Sequence, residues 1–267
     1  MGGQKNIMKI ISVSNQKGGV GKTTTTINLG IALVRNGKRV CLIDADPQGD
    51  LTLGLGFGKK HKTTLKNKME DIILGFETDP YDVILKHQEG VDVIPSNKLL
   101  SGLDMSLIMV EDREQILKKY LEKLREKYDY ILIDCMPSLG MLTLNAIVAS
   151  DSVLIPVQPQ YYAADGLTEL IRVVQAMKNN YNPSLKIEGI VFTMDNSRYS
   201  NAKRIKDKIK SLYDKSIRIF ETSIPRLEQL SEISSEGVSI FLYDENGKGA
   251  LSYERFAKEL LKNEKGN

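Results

Sequence analysis

Short apolar runs alternate along the 267-residue chain with longer stretches in which apolar residues recur every three or four positions. This alternation predicts an α/β fold, with a doubly wound, mostly parallel sheet and helices on both of its faces. Strands are predicted at 8–14, 39–43, 91–94, 130–133, 153–156 and 187–192. Helices are predicted at 23–34, 111–127, 166–178, 227–236 and 251–261.

The stretch from residue 56 to residue 106 has the least regular pattern, and we expect peripheral loops and helices there. Since no repeat or low-complexity linker divides the sequence, residues 1–267 are predicted to form a single domain. The longest apolar runs are too short for a membrane-spanning helix, and the first residues lack the apolar core of a signal peptide. We therefore expect a cytoplasmic protein.

Positive charge is concentrated in one segment of an otherwise nearly balanced chain. The whole sequence has a net charge of +3, whereas residues 198–218 contain eight basic and two acidic residues. A helix in this segment is predicted to be apolar on one face and basic on the other, which suits either a solvated surface or a binding surface. The apolar positions are Ile205, Ile209, Leu212 and Tyr213, and the basic positions on the opposite face are Lys203, Lys206 and Lys210.

The two cysteines and two histidines give no sign of a metal site. Cys41 and Cys135 each lie in or beside an apolar strand, which predicts buried free thiols. His61 and His87 lack the spacing of metal ligands. A second basic cluster at 59–68 follows a glycine-rich turn and is interpreted as a loop.

The segment Asn-Gln-Lys-Gly-Gly-Val-Gly-Lys-Thr-Thr at 15–24 joins the first predicted strand to the first predicted helix. It approximates the phosphate-binding pattern G-x-x-x-x-G-K-[ST], in which backbone N–H groups and the lysine bind phosphates and the hydroxyl ligates Mg²⁺. Lys17 occupies the position of the first glycine, so a second cation lies beside the phosphates and assists either its own nucleotide or a partner's. The predicted nucleotide-binding residues here are Lys17, Gly18, Gly19, Val20, Gly21, Lys22, Thr23 and Thr24.

Two further predicted strands lead into aspartates. Asp134 follows four apolar residues, and Asp44 and Asp46 follow the strand at 39–43. Since Mg²⁺ takes one or two carboxylates together with phosphate oxygens, Thr23 and Asp134 are predicted to bind it, with Asp44 holding a metal-bound water. Asp46 is predicted to orient the water that attacks the γ-phosphate, which makes it catalytic with Lys17 and Lys22. For Asp44, a turn-capping role remains an alternative.

Several motifs together resemble the ParA/Soj family of DNA-partitioning ATPases, which belongs with MinD to the deviant Walker A class. The longest are the loop at 15–24, Leu-Ile-Asp-Ala-Asp-Pro-Gln-Gly at 42–49, Ile-Leu-Ile-Asp-Cys-Met-Pro-Ser-Leu-Gly at 131–140 and Leu-Ile-Pro-Val-Gln at 154–158. Shorter ones lie at 193–194, 224–226, 230–232 and 242–244. The resemblance covers nearly the whole chain in the correct order.

The resemblance implies more than the residues alone indicate. It implies an ATPase with weak intrinsic activity that uses ATP and Mg²⁺ and forms a nucleotide-sandwich homodimer, in which Lys17 acts in trans and Lys22 in cis. It implies that the ATP-bound dimer binds DNA without sequence preference, is nucleoid-associated, and is reset by a ParB-like centromere-binding partner. By the same resemblance, Pro225 and Leu227 bind the base. The implied DNA-binding residues are Arg198 and Arg226, joined by Lys203, Arg204, Lys206 and Lys210 of the basic segment.

The chain departs from the family pattern at three positions. Met136 replaces a usual proline, Leu227 a usual asparagine and Gln229 a frequent arginine. At position 227 we therefore expect only backbone contacts to the base, and weaker DNA binding can follow from the change at position 229. The loop begins near residue 15, so we expect no N-terminal helix-turn-helix.

Three other functions are weighed. A MinD-like membrane-associated ATPase needs a basic amphipathic C-terminal anchor, whereas the predicted helix at 251–261 resembles a core-packing helix, and no membrane binding is expected. A nitrogenase-type iron protein needs cysteines that bridge two subunits, and Cys41 and Cys135 are placed in or beside strands. A scaffold that binds nucleotide without hydrolysis remains if Asp46 has another role.

Overall fold

The computed structural model describes residues 8–58, 60–196 and 200–264. Within these residues, seven strands form one sheet. They are β1 (Lys9–Val13), β2 (Val40–Ala45), β3 (Leu85–Lys86), β4 (Asp92–Ile94), β5 (Tyr130–Cys135), β6 (Ser152–Val157) and β7 (Lys186–Phe192). Their order across the sheet is β3-β4-β2-β5-β1-β6-β7, and only the β3–β4 pair is antiparallel.

Helices connect the strands and cover both faces of the sheet. In the first part of the described chain they are α1 (Lys22–Arg35), α2 (Asp50–Gly54), α3 (Leu65–Leu74), α4 (Leu100–Ser106), α5 (Ile116–Glu122) and α6 (Met141–Ala149). The later ones are α7 (Ala163–Asn180), α8 (Ser200–Tyr213), α9 (Gln229–Glu236), α10 (Ile240–Tyr243) and α11 (Lys248–Glu264). The predicted doubly wound, mostly parallel α/β fold is confirmed.

Most differences between the predicted and observed elements concern their ends. The helix predicted at 111–127 is shorter, because Asp112 adopts a left-handed φ of 52° and a 3₁₀ turn at Arg113–Gln115 precedes α5. No pattern indicated the two-residue strand β3 or the almost uniformly apolar helix α6. β2 and β5 continue one residue beyond Asp44 and Asp134, so both aspartates lie inside strands rather than after them.

Alternate residues of each strand contribute to opposite faces of the sheet, and this divides the core. Leu42 of β2 packs in the layer that contains α1 and α11, whereas Cys41 and Ile43 pack in the layer that contains α3, α5 and α6. Cys41 and Cys135 are buried free thiols, as predicted. None of the described helices is long and apolar enough to cross a membrane.

Two glycines bring the end of α9 against the turn that follows α2. Gly237 has a φ of 69°, and a Cβ atom there would lie 2.6 Å from the Cα atom of Gly56. The carbonyl oxygen of Gly237 also lies 3.2 Å from the Nε2 atom of His87. This contact holds the end of α9 against the turn after α2, and a Cβ atom at position 237 would force that backbone to shift.

We predict that Gly237→Ala destabilises the protein more than Gly37→Ala does. Gly37 has a φ of 78°, and a Cβ atom added there would have no neighbouring atom within 4 Å, so its substitution costs only the left-handed strain of about 1 kcal/mol. Gly237→Ala adds a clash with backbone, for which overpacking costs of roughly 1–3 kcal/mol are typical. Urea unfolding of the two variants measures the difference, and equal losses would show that the Gly56 contact contributes nothing.

Candidate nucleotide-binding site

The glycine-rich loop lies between β1 and α1 at the carboxyl edge of the sheet. Gly19 and Gly21 have φ values of 70° and 83°, which other residues rarely adopt. Thr193, after β7, donates a hydrogen bond of 2.7 Å from its hydroxyl to the carbonyl oxygen of Val20. Asn15 donates from its side chain to the carbonyl oxygen of Pro156 at 2.7 Å. The loop is therefore held from two sides, with the N-terminus of α1 available to an anion.

Lys22, Thr23 and Asp134 meet at the start of α1. The Thr23 hydroxyl donates to Oδ2 of Asp134 at 2.7 Å, and Asp134 is 1% exposed. Burial raises the pKa of Asp134 well above its usual value, and the nearby charge of Asp44 raises it further. Burial lowers the pKa of Lys22, while its attraction to Asp134 opposes that change. A hydroxyl and a carboxylate at this distance can both act as ligands of one small hard cation.

Asp44 lies directly beside Asp134, because β2 and β5 pair with these two residues in register. Oδ2 of Asp44 accepts hydrogen bonds from the backbone N–H and the hydroxyl of Thr52, at 2.9 and 2.6 Å. Oδ1 accepts from the backbone N–H of Asp46 at 3.2 Å. Burial raises the pKa of Asp44 to about 7 despite these bonds. Asp44 thus makes the turn-capping contacts that the sequence analysis gave as its alternative role. Its role toward a metal-bound water stays a prediction.

Asp46 is more accessible than the other two carboxylates. It is partly exposed, and its Oδ1 accepts a hydrogen bond of 2.9 Å from the backbone N–H of Gln48. Partial burial raises its pKa, and the attraction of Lys22 counteracts that rise. Asp46 therefore lies at the open end of the carboxylate group, where a water molecule has access.

The carboxylates of Asp44, Asp46 and Asp134 repel one another, and a divalent cation would relieve that repulsion. Among the described residues, no group of three His, Cys, Asp or Glu side chains is arranged to hold a metal ion alone. A magnesium site takes few protein ligands, and phosphate oxygens and waters complete its shell. Thr23 and Asp134 would hold such an ion, and it would neutralise charge on the phosphates.

Lys17 directs its ammonium group toward a different part of the molecule. Its Nζ atom contacts Oε1 of Gln160, a residue in the loop between β6 and α7. Tyr161 and Tyr162 follow in that loop and are 70% and 72% exposed. The Lys17 carbonyl oxygen, in contrast, accepts a long 3.4 Å hydrogen bond from the Nζ atom of Lys22. The two lysines of the loop therefore occupy different environments, because Lys17 is partly exposed and Lys22 is buried.

A cavity of about 440 Å³ adjoins the glycine-rich loop on the side of β7. Pro225 and Leu227, predicted to bind the base, line it together with Gly21 and Thr24. Two backbone hydrogen bonds with Asp195 fix the segment around Pro225. The N–H of Asp195 donates to the carbonyl oxygen of Ile224 at 2.9 Å, and the N–H of Arg226 donates to the carbonyl oxygen of Asp195 at 3.2 Å. Residues 193–194 belong to a family motif that carried no predicted role, and neither Thr193 nor Tyr253 was predicted at this site, because neither lies in a phosphate-binding pattern.

The predicted basic face of α8 needs one correction. Lys203, Arg204 and Lys210 are exposed, but Lys206 is bound to Asp195 at 2.5 Å, and its Nζ atom lies 5.2 Å from the ring centre of Phe192. Lys206 lies beside the buried stripe of α8 because it follows Ile205 directly. Its ammonium group therefore turns inward to the Asp195 carboxylate rather than outward.

Other predicted positions on the basic segment have mixed outcomes. Leu212, assigned to the apolar face of α8, is 55% exposed, whereas Tyr213 packs against the core layer that contains Ile205 and Ile209. Arg226 is exposed and lines the cavity of about 440 Å³ beside the glycine-rich loop. Arg198 lies outside the described residues.

In the second basic cluster, Lys66 and Lys68 belong to α3 rather than to a loop, and Lys68 is buried with ion pairs to Asp71 and Asp82.

The chain is similar to known proteins over most of its length. A family model described as an AAA domain matches residues 8–187. The sporulation initiation inhibitor protein Soj of Bacillus subtilis (strain 168) is 44% identical over 256 residues, which are 96% of this chain and 99% of Soj. The chromosome partitioning protein ParA of Caulobacter vibrioides (strain NA1000 / CB15N) is 39% identical over 263 residues, covering 97% of this chain and 96% of ParA.

Solved structures extend the similarity to the fold. The crystal structure of cobyrinic acid a,c-diamide synthase from Mycobacterium smegmatis, with a bound ATP analogue and magnesium, is 33% identical. The similarity covers 97% of this chain and 96% of that one, with a TM-score of 0.83. Together with the nearly full-length likeness to Soj and ParA, these findings show that the chain belongs to the ParA/Soj family of partitioning ATPases.

Proposed function

We propose that this protein is an ATP-dependent DNA-partitioning ATPase that cycles between a monomer and an ATP-bound homodimer. ATP and Mg²⁺ bind at the glycine-rich loop, and the dimer holds DNA without sequence preference. A ParB-like partner that stimulates hydrolysis then releases the DNA. The observation that carries the proposal is the separation of the two loop lysines, because one is buried beside the Asp134 carboxylate and the other points to an exposed surface.

The nucleotide site supports ATP with magnesium. The glycine-rich loop surrounds phosphates with backbone N–H groups, Lys22 supplies a cation in cis, and Thr23 and Asp134 bind Mg²⁺. Relatives of this fold have been solved with an ATP analogue and magnesium, which agrees with the donor set here. The base occupies the cavity at Pro225 and Leu227. Because Leu227 has no polar side-chain atom, base recognition there uses backbone groups.

Hydrolysis depends on Asp46. Phosphoryl transfer requires mainly positioning and charge stabilisation, so a carboxylate that orients a water molecule is sufficient for catalysis. Asp46 is the accessible member of the carboxylate group, and its position is fixed through Asp44 and Gln48. Intrinsic turnover is weak in this proposal, because no second cation is contributed to the phosphates within a single subunit.

Dimerisation supplies that missing cation. Lys17 contacts Gln160 at the surface, next to the exposed rings of Tyr161 and Tyr162. A partner that packs on this surface would cover two exposed aromatic rings and bring its own Lys17 toward the nucleotide. Two cations would then lie at the phosphates only in the dimer, which couples nucleotide binding to assembly.

The proposed DNA surface combines α8 with the rim of the base cavity. Lys203, Arg204 and Lys210 are exposed on α8, and Arg226 is exposed next to the residues that bind the base. Lys206 supports this surface from beneath. Its ion pair with Asp195 ties α8 to the segment whose backbone also binds Ile224 and Arg226. The state of the base cavity can therefore influence the position of the basic surface.

The structure gives little support to membrane attachment through the C-terminal helix. Tyr253, Phe256 and Leu260 of α11 are at most 1% exposed and pack in the same layer as α1. An amphipathic anchor needs its apolar face free for lipid. That face of α11 is part of the core, so the partition function is preferred to a MinD-like one.

We predict that Lys17→Ala still binds ATP but remains monomeric. Its removal leaves the cis contacts of Lys22 in place and takes away the cation donated to the partner. Binding of a fluorescent ATP analogue and sedimentation velocity with Mg²⁺-ATP measure the two properties. Lys22→Ala serves as the control that loses nucleotide binding itself. An ATP-dependent dimer of the Lys17→Ala protein would contradict the trans role.

We predict that the triple variant Lys203→Gln, Lys210→Gln and Arg226→Gln binds DNA less tightly in the presence of ATP. We also expect its DNA affinity to depend less steeply on salt. Each lost phosphate contact lowers the slope of log affinity against log salt by about 0.9. The matched control is the variant Lys123→Gln, Arg125→Gln and Lys262→Gln, which removes the same charge from exposed positions elsewhere. Fluorescence anisotropy with duplex DNA at several salt concentrations measures both. Equal effects of the two variants would remove α8 and Arg226 from the proposed surface.

A further inference from the structure

A second cavity lies at the carboxyl edge of the sheet, away from the base cavity. Its volume is about 500 Å³, and none of its lining residues is shared with the base cavity. One wall is formed by the start of α2 and the other by the residues that follow β4. Pockets of this volume accommodate small molecules up to the size of a nucleotide. Nothing in the proposed ATP cycle uses this cavity.

The charges around this second cavity have one sign. Lys60, His61 and Lys98 line it, and no aspartate or glutamate is among its described lining residues. Lys60 and Lys98 are exposed, so their ammonium groups remain free to reach a ligand at the mouth. Leu53 and Leu99 contribute apolar surface next to them. This combination suits a ligand with a negatively charged group and a small apolar body.

Two buried polar atoms in the walls have no hydrogen-bond partner. Ser96 is 2% exposed, and its hydroxyl oxygen makes no hydrogen bond to the described residues. The Nε2 atom of His61 is likewise buried and without a partner in the described part of the chain. A buried polar atom without a partner is unfavourable, and a ligand with acceptor oxygens would supply the missing hydrogen bond.

The walls are already fixed by hydrogen bonds. The backbone N–H of Ser96 donates to the hydroxyl of Thr52 at 3.1 Å, and that hydroxyl donates to Asp44 at 2.6 Å. Asp44 in turn accepts from the backbone N–H of Asp46 at 3.2 Å. The cavity is therefore preformed, and its wall is joined through three hydrogen bonds to the residue proposed to orient the attacking water.

We propose that this cavity is a second ligand site, which binds a small molecule through a phosphate or carboxylate group held by Lys60, His61 and Lys98. The Ser96 hydroxyl donates to the same anionic group or to the ligand body beside it. Two sources share this chemistry, a phosphorylated metabolite and a carboxylic acid. The proposal does not depend on DNA binding or on dimerisation, so each can fail without the other.

The chain contains only two histidines, which makes the test direct. Full-length protein saturated with Mg²⁺-ADP is titrated with inorganic phosphate in one arm and with acetate in the other, while the His Cε1–Hε1 resonances are followed by NMR. Sodium chloride at equal ionic strength corrects for screening. His87 is the internal reference, because its ring is held at the Gly237 carbonyl oxygen.

The expected result is a saturable shift of the His61 resonance with at least one anion, while the His87 resonance stays in place. The double variant Lys60→Gln and Lys98→Gln should weaken binding at least tenfold. Lys62→Gln, an exposed lysine outside the cavity lining, should leave binding unchanged. The anion whose titration gives a saturable His61 shift identifies the anionic group, phosphate or carboxylate. A His61 shift no larger than that caused by chloride, or binding that the double variant retains, would overturn the proposal.

Discussion

The hydrogen bond between the Thr23 hydroxyl and Asp134 is the contact on which the site depends. It joins the first turn of α1 to the central strand β5 and is nearly removed from water. A buried carboxylate without a partner would be strongly unfavourable, so this contact stabilises Asp134 and ties the start of α1 to β5. The same two groups are the proposed magnesium ligands, and folding therefore prepares the metal site.

The remaining features follow from this arrangement through the register of the sheet. Since β2 pairs with β5 in parallel, Asp44 lies next to Asp134, and the turn after β2 presents Asp46 to the open side. On the other side of β1, the segment after β7 holds the loop through Thr193 and holds α8 through Asp195. The segment after β7 thus contacts both the glycine-rich loop and Lys206, the residue that supports the basic surface.

The fold class, the glycine-rich loop and the central strands were predictable, because parallel strands buried on both faces are continuous apolar runs. The start of α5 was less predictable, since a left-handed Asp112 and a 3₁₀ turn interrupt a regular pattern. The inward turn of Lys206 could not be predicted either, because its partner Asp195 comes from a different element. The second cavity depends on residues from three separated segments, of which only the first overlaps a motif, at 48–49.

The central claim is that Lys17 acts on the partner's nucleotide, and a mixing experiment tests it most directly. Lys17→Ala and Asp46→Ala are each expected to hydrolyse ATP poorly. In a mixed dimer, the site of the Lys17→Ala subunit keeps its own Asp46 and receives Lys17 from the partner. ATP hydrolysis should therefore rise above the sum of the separate rates when the two variants are combined. A mixture no more active than that sum would contradict the account.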